Sequence, residues 1–208
     1  MDFAIYLQFF IGLIALVNPI GVVPIFYSMT STLSKEQQNR TSFITCISIS
    51  VILLVSFFFG SFILNAFHIS IDSFRIAGGI VVILIALTMI NGKIGEHKMN
   101  KEEKSENFDD YNNIAVVPLA TPIMAGPGSI SATIVFSSTQ NSLVSYFYSS
   151  ITIILFGVGC YILLRYSKPV IKRLGKTGSN VITRIMGLLL MSLGIEIIIG
   201  GLRNLGIV

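Results

Sequence analysis

The sequence predicts an all-α fold, a polytopic membrane bundle of six spans, built as two inverted three-helix repeats with proline-broken helices one and four. Three observations predict it: where charge is missing, which connections are basic, and a pair of motifs that occurs in each half. Of 208 residues, 53% are hydrophobic and 12% charged, about half the charged share of a soluble domain. Asp, Glu, Lys and Arg are absent from 3–34, 41–71, 76–92 and 111–164. A helix needs about 20 apolar residues to cross the hydrocarbon core, so these stretches exclude a soluble enzyme or a nucleic-acid binder. They are also too long, and too uniformly apolar, for barrel strands.

The first span is placed over 3–29 and contains Pro19, Gly21 and Pro24. The second, over 41–67, carries Thr45, Ser48, Ser50, Ser56 and Asn65, polar groups suited to bridging helices or lining a pathway. The third, over 75–90, opens on Arg75 and places Gly79 and Ala86 seven residues apart. The fourth, over 114–136, contains Pro118, Pro122 and Pro127 with Gly126 and Gly128. The fifth covers 143–166. The sixth covers 181–202, with Gly187, Gly194 and Gly201 on a seven-residue stripe and Glu196 as its one acidic residue. Small residues on one stripe read as helix-packing seams. Cys46 and Cys160 lie in apolar stretches and read as packing residues, not as a disulfide or a metal site. With Asp2 where a signal peptide would carry positive charge, no cleavable leader is expected.

Lys and Arg divide unevenly between the two sides. The connections after spans one, three and five, with the span ends beside them, carry twelve of the fourteen, and the opposite side only Arg75 and Arg203. Basic connections stay in the cytoplasm, so both termini are expected outside, in the periplasm if the membrane is a bacterial inner one. The polar stretch 93–113 reads as a charged cytoplasmic linker between a first repeat over 1–92 and a second over 114–208.

The halves share a spaced pattern. Pro19-Ile20-Gly21-Val22-Val23-Pro24 parallels Pro122-Ile123-Met124-Ala125-Gly126-Pro127, preceded by Asn18 and Thr121 respectively. Arg75-Ile76-Ala77-Gly78 parallels Arg184-Ile185-Met186-Gly187. A unit with an odd number of spans re-enters the membrane upside down when duplicated, the architecture of many secondary transporters, whose solute site lies between repeats.

Proline lacks an N–H and clashes with the carbonyl four residues back, so both Pro-Ile segments are expected to break their helices. Freed backbone groups must meet protein, water or a ligand. A solute site is therefore expected at Asn18, Pro19, Gly21, Pro24, Thr121, Pro122, Gly126, Pro127 and Gly128. The alternatives are packing kinks, or segments that re-enter instead of spanning. Glu196 is a candidate for proton or cation coupling. Arg75 and Arg184 are candidates for substrate binding, coupling or gating, with snorkelling to headgroups the favoured alternative. No catalytic residues, metal or cofactor are expected. No Ser–His, paired-Asp or His-Glu-x-x-His pattern occurs in the spans, and no Gly-x-x-x-x-Gly-Lys loop.

Several runs together resemble the MarC family of bacterial inner-membrane proteins over essentially the whole length. They are Asn18-Pro19-Ile20-Gly21 with Pro24 and Phe26, Phe74-Arg75-Ile76-Ala77-Gly78-Gly79, and Val117-Pro118-Leu119-Ala120-Thr121-Pro122. Ala125-Gly126-Pro127-Gly128 and Arg184-Ile185-Met186-Gly187-Leu188-Leu189 complete the set. The resemblance implies an integral membrane protein of about six spans, related to transporters of the inverted three-plus-three kind. It supplies no substrate, and the multiple-antibiotic-resistance label in the family's name is not carried over. Family members often have an amide where this chain has Glu196, which weakens a shared role for the carboxylate. The expected function is secondary transport of a small polar solute by alternating access. A non-transporting scaffold or partner subunit is the alternative, and an enzyme is not expected. The expected partners are the lipid bilayer and a small solute, with a homo-oligomer left open and nucleic acid excluded.

Overall fold

The computed structural model describes residues 3–91 and 115–207. Among these residues the chain is all-helical, with no β-strand. Helices α1 (Phe3–Val17) and α2 (Pro19–Thr30) meet at Asn18 with a bend of 41°. Helices α3 (Lys35–Ala66) and α4 (Ile71–Ile90) complete the first half. In the second half a broken helical segment, Ala115–Met124, leads into α5 (Pro127–Ser138), α6 (Leu143–Arg165) and α7 (Ser167–Asn204). The expected linker over 93–113 lies outside the described residues.

Among the described residues, four helical stretches are long and apolar enough to cross a bilayer: α3, α4, α6 and the Asn180–Asn204 part of α7. The bent pair α1–α2 makes a fifth if it is one span. The expected span over 114–136 is divided into pieces of 10 and 12 residues, each shorter than the bilayer requires.

Helices α3 and α4 begin before the spans expected from 41 and 75, because serines cap them, whereas α6 begins at Leu143 as expected. The Ser34 hydroxyl accepts the Gln37 N–H while Gln37 Oε1 accepts the Ser34 N–H, a reciprocal capping box that starts α3 before its apolar run. Ser70 and Ser142 cap α4 and α6 by accepting from the N–H groups of Ser73 and Ser145. Each such cap is worth about 1 kcal/mol. Gly175, at φ 62°, interrupts α7. That left-handed conformation suits glycine, and it separates a basic first stretch, with Lys168, Lys172 and Arg173, from the spanning part.

Helices in lipid gain little from hydrophobicity when they associate, so close approach and dispersion must hold them. The α4–α7 seam is the most extensive in the molecule, and the predicted small residues meet there. A Cβ added to Gly194 would stand 3.0 Å from the Gly79 carbonyl oxygen, and one added to Gly79 would stand 2.8 Å from that of Gly194. Gly187 lies against the Ala86 carbonyl and Gly201 against that of Asp72. The main apolar core joins α1, α2, α3 and α6 around Leu13, Phe26, Ile49, Leu53, Phe57 and Phe156. Large apolar side chains such as Phe59, Phe62, Leu84, Leu155 and Leu188 point outward, the surface appropriate to a lipid solvent.

The remaining packing pairs α3 with α6, α3 with α5, α2 with α6, α2 with α7 and α4 with α5. The segment Ala115–Met124 packs on α2 and α3, and α1 packs on α5 and α6, with small further contacts of α7 to α1 and α6.

Candidate functional site

The first helix break is built by three residues acting as one joint. A residue before proline is pushed out of the right-handed helical region, and Asn18 adopts the left-handed one at φ 46°, ψ 61°. Its N–H still closes α1 on the Ile14 carbonyl, and its carbonyl already accepts the Val22 N–H. The Asn18 amide oxygen accepts the Gly21 N–H at 3.2 Å. Gly21 is required for that reach, since a Cβ there would stand 2.2 Å from the Asn18 amide nitrogen. Asn18 is 2% exposed, so its side chain is committed to the joint. Pro24, expected to disrupt the helix further, sits inside an unbroken α2; it removes only the bond its own N–H would make.

Asn18→Gly should cost a few tenths of a kcal/mol, because glycine tolerates the left-handed backbone. Asn18→Ala should cost about 2 kcal/mol, through the lost cap and the strained backbone together. Thermal unfolding of the two variants in detergent checks this, and equal losses would remove the joint described.

The second break follows the same pre-proline rule with a different outcome. Val117 and Thr121, which precede Pro118 and Pro122, are extended at φ −126° and −133°. Pro127 then starts α5, where its missing N–H costs nothing. Two hydroxyls tie the halves together. Thr45 Oγ1 donates to the Ala115 carbonyl at 3.0 Å, and Ser137 Oγ donates to the Phe57 carbonyl. Ser50 and Ser56, by contrast, donate to carbonyls of their own helix.

Among the described residues, two cavities border α4. The first, about 340 Å³, lies between α1, α4, α5 and α7. Its walls are mainly apolar, with Gln8, Arg75, Ser131 and Thr139 as the polar groups, and the stacked rings of Phe9 and Phe136 border it. The second, about 480 Å³, lies between α4 and the start of α5, with Thr88, Asn91, Gly126, Pro127 and Ser129 in its wall. Arg75 and Asn91 are sixteen residues apart on one helix, about 24 Å at 1.5 Å per residue, so the cavities sit toward opposite ends of α4.

Leu16 and Gly128 line both cavities. A Cβ at Gly128 would meet Val82 and Ile85 at 3.3 Å and Leu16 at 3.5 Å. Leu16 and the bare backbone of Gly128, with Val82 and Ile85 against it, thus form a neck of wall shared between the two spaces.

The predicted site residues therefore divide. Gly126, Pro127 and Gly128 border cavities; Asn18, Pro19, Gly21, Pro24 and Thr121 line neither. Arg75 and Arg184 separate as well: Arg75 enters the first cavity, whereas Arg184 is exposed on α7. Glu196 is exposed and lines neither cavity, although Leu193 and Ile197 beside it face the first. Sequence reasoning missed Gln8, Leu16, Ser131 and Thr139, which carry no motif; only helix packing brings them together.

The family profile described as MarC family integral membrane protein matches residues 3–206. The chain belongs to the MarC family. It is 52% identical over 204 residues to UPF0056 membrane protein YhcE of Escherichia coli (strain K12), covering 98% of this chain and 94% of that one. It is 54% identical over 202 residues to UPF0056 membrane protein BU267 of Buchnera aphidicola subsp. Acyrthosiphon pisum, with 97% and 93% covered. An archaeal relative, UPF0056 membrane protein MJ1677 of Methanocaldococcus jannaschii, is 35% identical over 204 residues, 98% of each chain. No solved structure matches the chain. This MarC chain is an integral, multi-pass membrane protein, and the motif Asn18-Pro19-Ile20-Gly21 that marked it in sequence is the capped joint between α1 and α2.

Proposed function

We propose that this MarC protein is a secondary transporter of a small polar solute, working by alternating access between the two cavities. The observation that carries the reading is the pair of cavities near opposite ends of α4, divided by the thin neck at Leu16 and Gly128. Transport needs two vestibules and a barrier that moves. Here one face of the barrier is α5, a short helix entered through extended backbone at Thr121. Discontinuous helices of this kind border the solute in transporters built from inverted repeats.

The reading includes six spans in two inverted repeats, in a bacterial inner membrane, with both termini outside. Helix packing supports the inversion. Exchanging α1 and α2 with Ala115–Met124 and α5, α3 with α6, and α4 with α7 maps the main packing pairs onto one another. The α3–α6 and α4–α7 pairs map onto themselves; the small contacts of α7 with α1 and α6 depart from the pattern. With this orientation the Arg75 cavity opens outward and the Asn91 cavity inward. The broken helices act as pivots, and Asn18 and Thr121 set their geometry.

Uptake into proteoliposomes over a panel of small polar solutes tests the function. Saturable flux of at least one solute is expected, slowed by Asn18→Ala and Thr121→Ala. Glu196→Gln should leave flux unchanged, because that exposed side chain lines neither cavity. No flux for any solute in a folded preparation would count against transport.

A further inference from the structure

The first cavity holds a guanidinium whose donors are poorly used. Arg75 has a side chain 19% exposed, and its nearest carboxylate oxygen is Asp72 Oδ1 at 3.9 Å, too far for a hydrogen bond. That oxygen already accepts from Asn204 Nδ2 at 2.9 Å. Among the described residues the Arg75 guanidinium makes no hydrogen bond, and neither does the side chain of Gln8 or Ser131, both in the wall of the same cavity. A guanidinium presents five N–H donors in a fixed fork. These donors are accessible from the cavity, so an anion entering it can accept two of them in a charge-assisted pair beside the apolar walls. Among the described residues no Asp or Glu borders the cavity, whereas Leu13, Val135, Phe136, Leu193 and Ile197 do.

We propose that the first cavity binds a small organic anion with an apolar body, its carboxylate held by Arg75 with help from Gln8 and Ser131. The site rests on the transport reading for its purpose, since such an anion would be the solute admitted from the Arg75 end. Its binding is separable from flux. The apolar walls take the body of the ligand, and the absence of an acidic wall residue disfavours a cation of the same length. A phospholipid headgroup could supply the same anionic chemistry, so the two sources must be told apart.

The test is binding to the purified full chain in phosphatidylcholine nanodiscs, using hexanoate, hexanol and hexylamine as probes of equal chain length. Hexanoate is expected to bind saturably, and the alcohol and amine at least about tenfold more weakly, the effect of one charged hydrogen bond. Arg75→Gln should weaken hexanoate by about tenfold or more and Arg75→Lys by less, since an ammonium lacks the planar fork. Gln8→Leu, at an exposed position on α1 in the cavity wall, should weaken it severalfold without changing the melting temperature, which keeps the test valid if Arg75 variants fold poorly. Hexanol binding as tightly as hexanoate, equal hexanoate binding by wild type and both Arg75→Gln and Gln8→Leu, or no saturable binding would overturn the site. Repeating the titration in discs containing phosphatidylglycerol separates the sources. Unchanged affinity supports a soluble anion, while suppression assigns the pocket to a lipid headgroup and overturns the proposal. A chain that binds hexanoate yet moves no solute would contradict transport and leave this site standing; flux without hexanoate binding would do the reverse.

Discussion

Gly194→Leu is expected to leave little folded protein. The α4–α7 seam brings two backbones together at Gly79 and Gly194, with 2.8 to 3.0 Å between each carbonyl oxygen and the place where the other residue's Cβ would stand. Ordinary overpacking costs about 1–3 kcal/mol, because side chains around the insertion can turn aside. Here the obstacle is main chain, so the helices must separate along the seam, and in lipid no hydrophobic gain restores the lost contact. The loss should exceed that range and show as aggregation on gel filtration in mild detergent. Gly194→Ala should be destabilised less, with a lowered melting temperature. Gly159→Leu is the control, since a Cβ at Gly159 meets nothing within 4 Å. Equal behaviour of Gly194→Leu and Gly159→Leu would remove the seam from the account.

The second large effect is expected at the neck. Gly128→Ala adds one methyl at 3.3 to 3.5 Å from Val82, Ile85 and Leu16, close enough to need a few tenths of an ångström of adjustment from side-chain ends. Flux should persist. Gly128→Leu adds three further carbons directed at those side chains, so it should close the connection and lower flux by about tenfold or more, the factor that a barrier higher by about 1.4 kcal/mol produces. Leu16→Ala tests the same neck from the other wall: it opens space without blocking, and should raise leak of the transported solute. Undiminished flux with Gly128→Leu in a protein of normal melting temperature would mean that solute passes elsewhere.

Membrane class, the helix seams and both helix breaks were legible in the sequence, each for a physical reason. Charge-free stretches longer than 20 residues have few other uses, the seven-residue glycine stripe has a geometric meaning, and proline acts on its neighbour whatever surrounds it. Asn18 and Thr121 were marked by their place before the two matching Pro-Ile pairs. What their side chains do was not legible, because the Asn18 cap depends on a left-handed backbone that the sequence does not disclose. The starts of α3 after Ser34 and of α4 after Ser70 precede the expected spans because a capping serine, not the apolar run, sets them, whereas α6 begins at Leu143 where its span was expected. The cavities were the least visible part. Gln8, Leu16, Ser131 and Thr139 come from different helices, with no spacing that links them, and become neighbours only through packing. Arg75 and Arg184 occupy equivalent motif positions, yet only Arg75 faces a cavity, so repetition in sequence did not imply repetition of role.

Cysteine labelling across the membrane tests the central claim, that the two cavities open to opposite sides. In a Cys46→Ala, Cys160→Ala background, Gln8→Cys and Thr88→Cys would each be treated with a membrane-impermeant maleimide in intact spheroplasts and in inverted vesicles. Gln8→Cys is expected to label from the outer face and Thr88→Cys from the cytoplasmic face. Labelling of both positions from the same face would contradict the account.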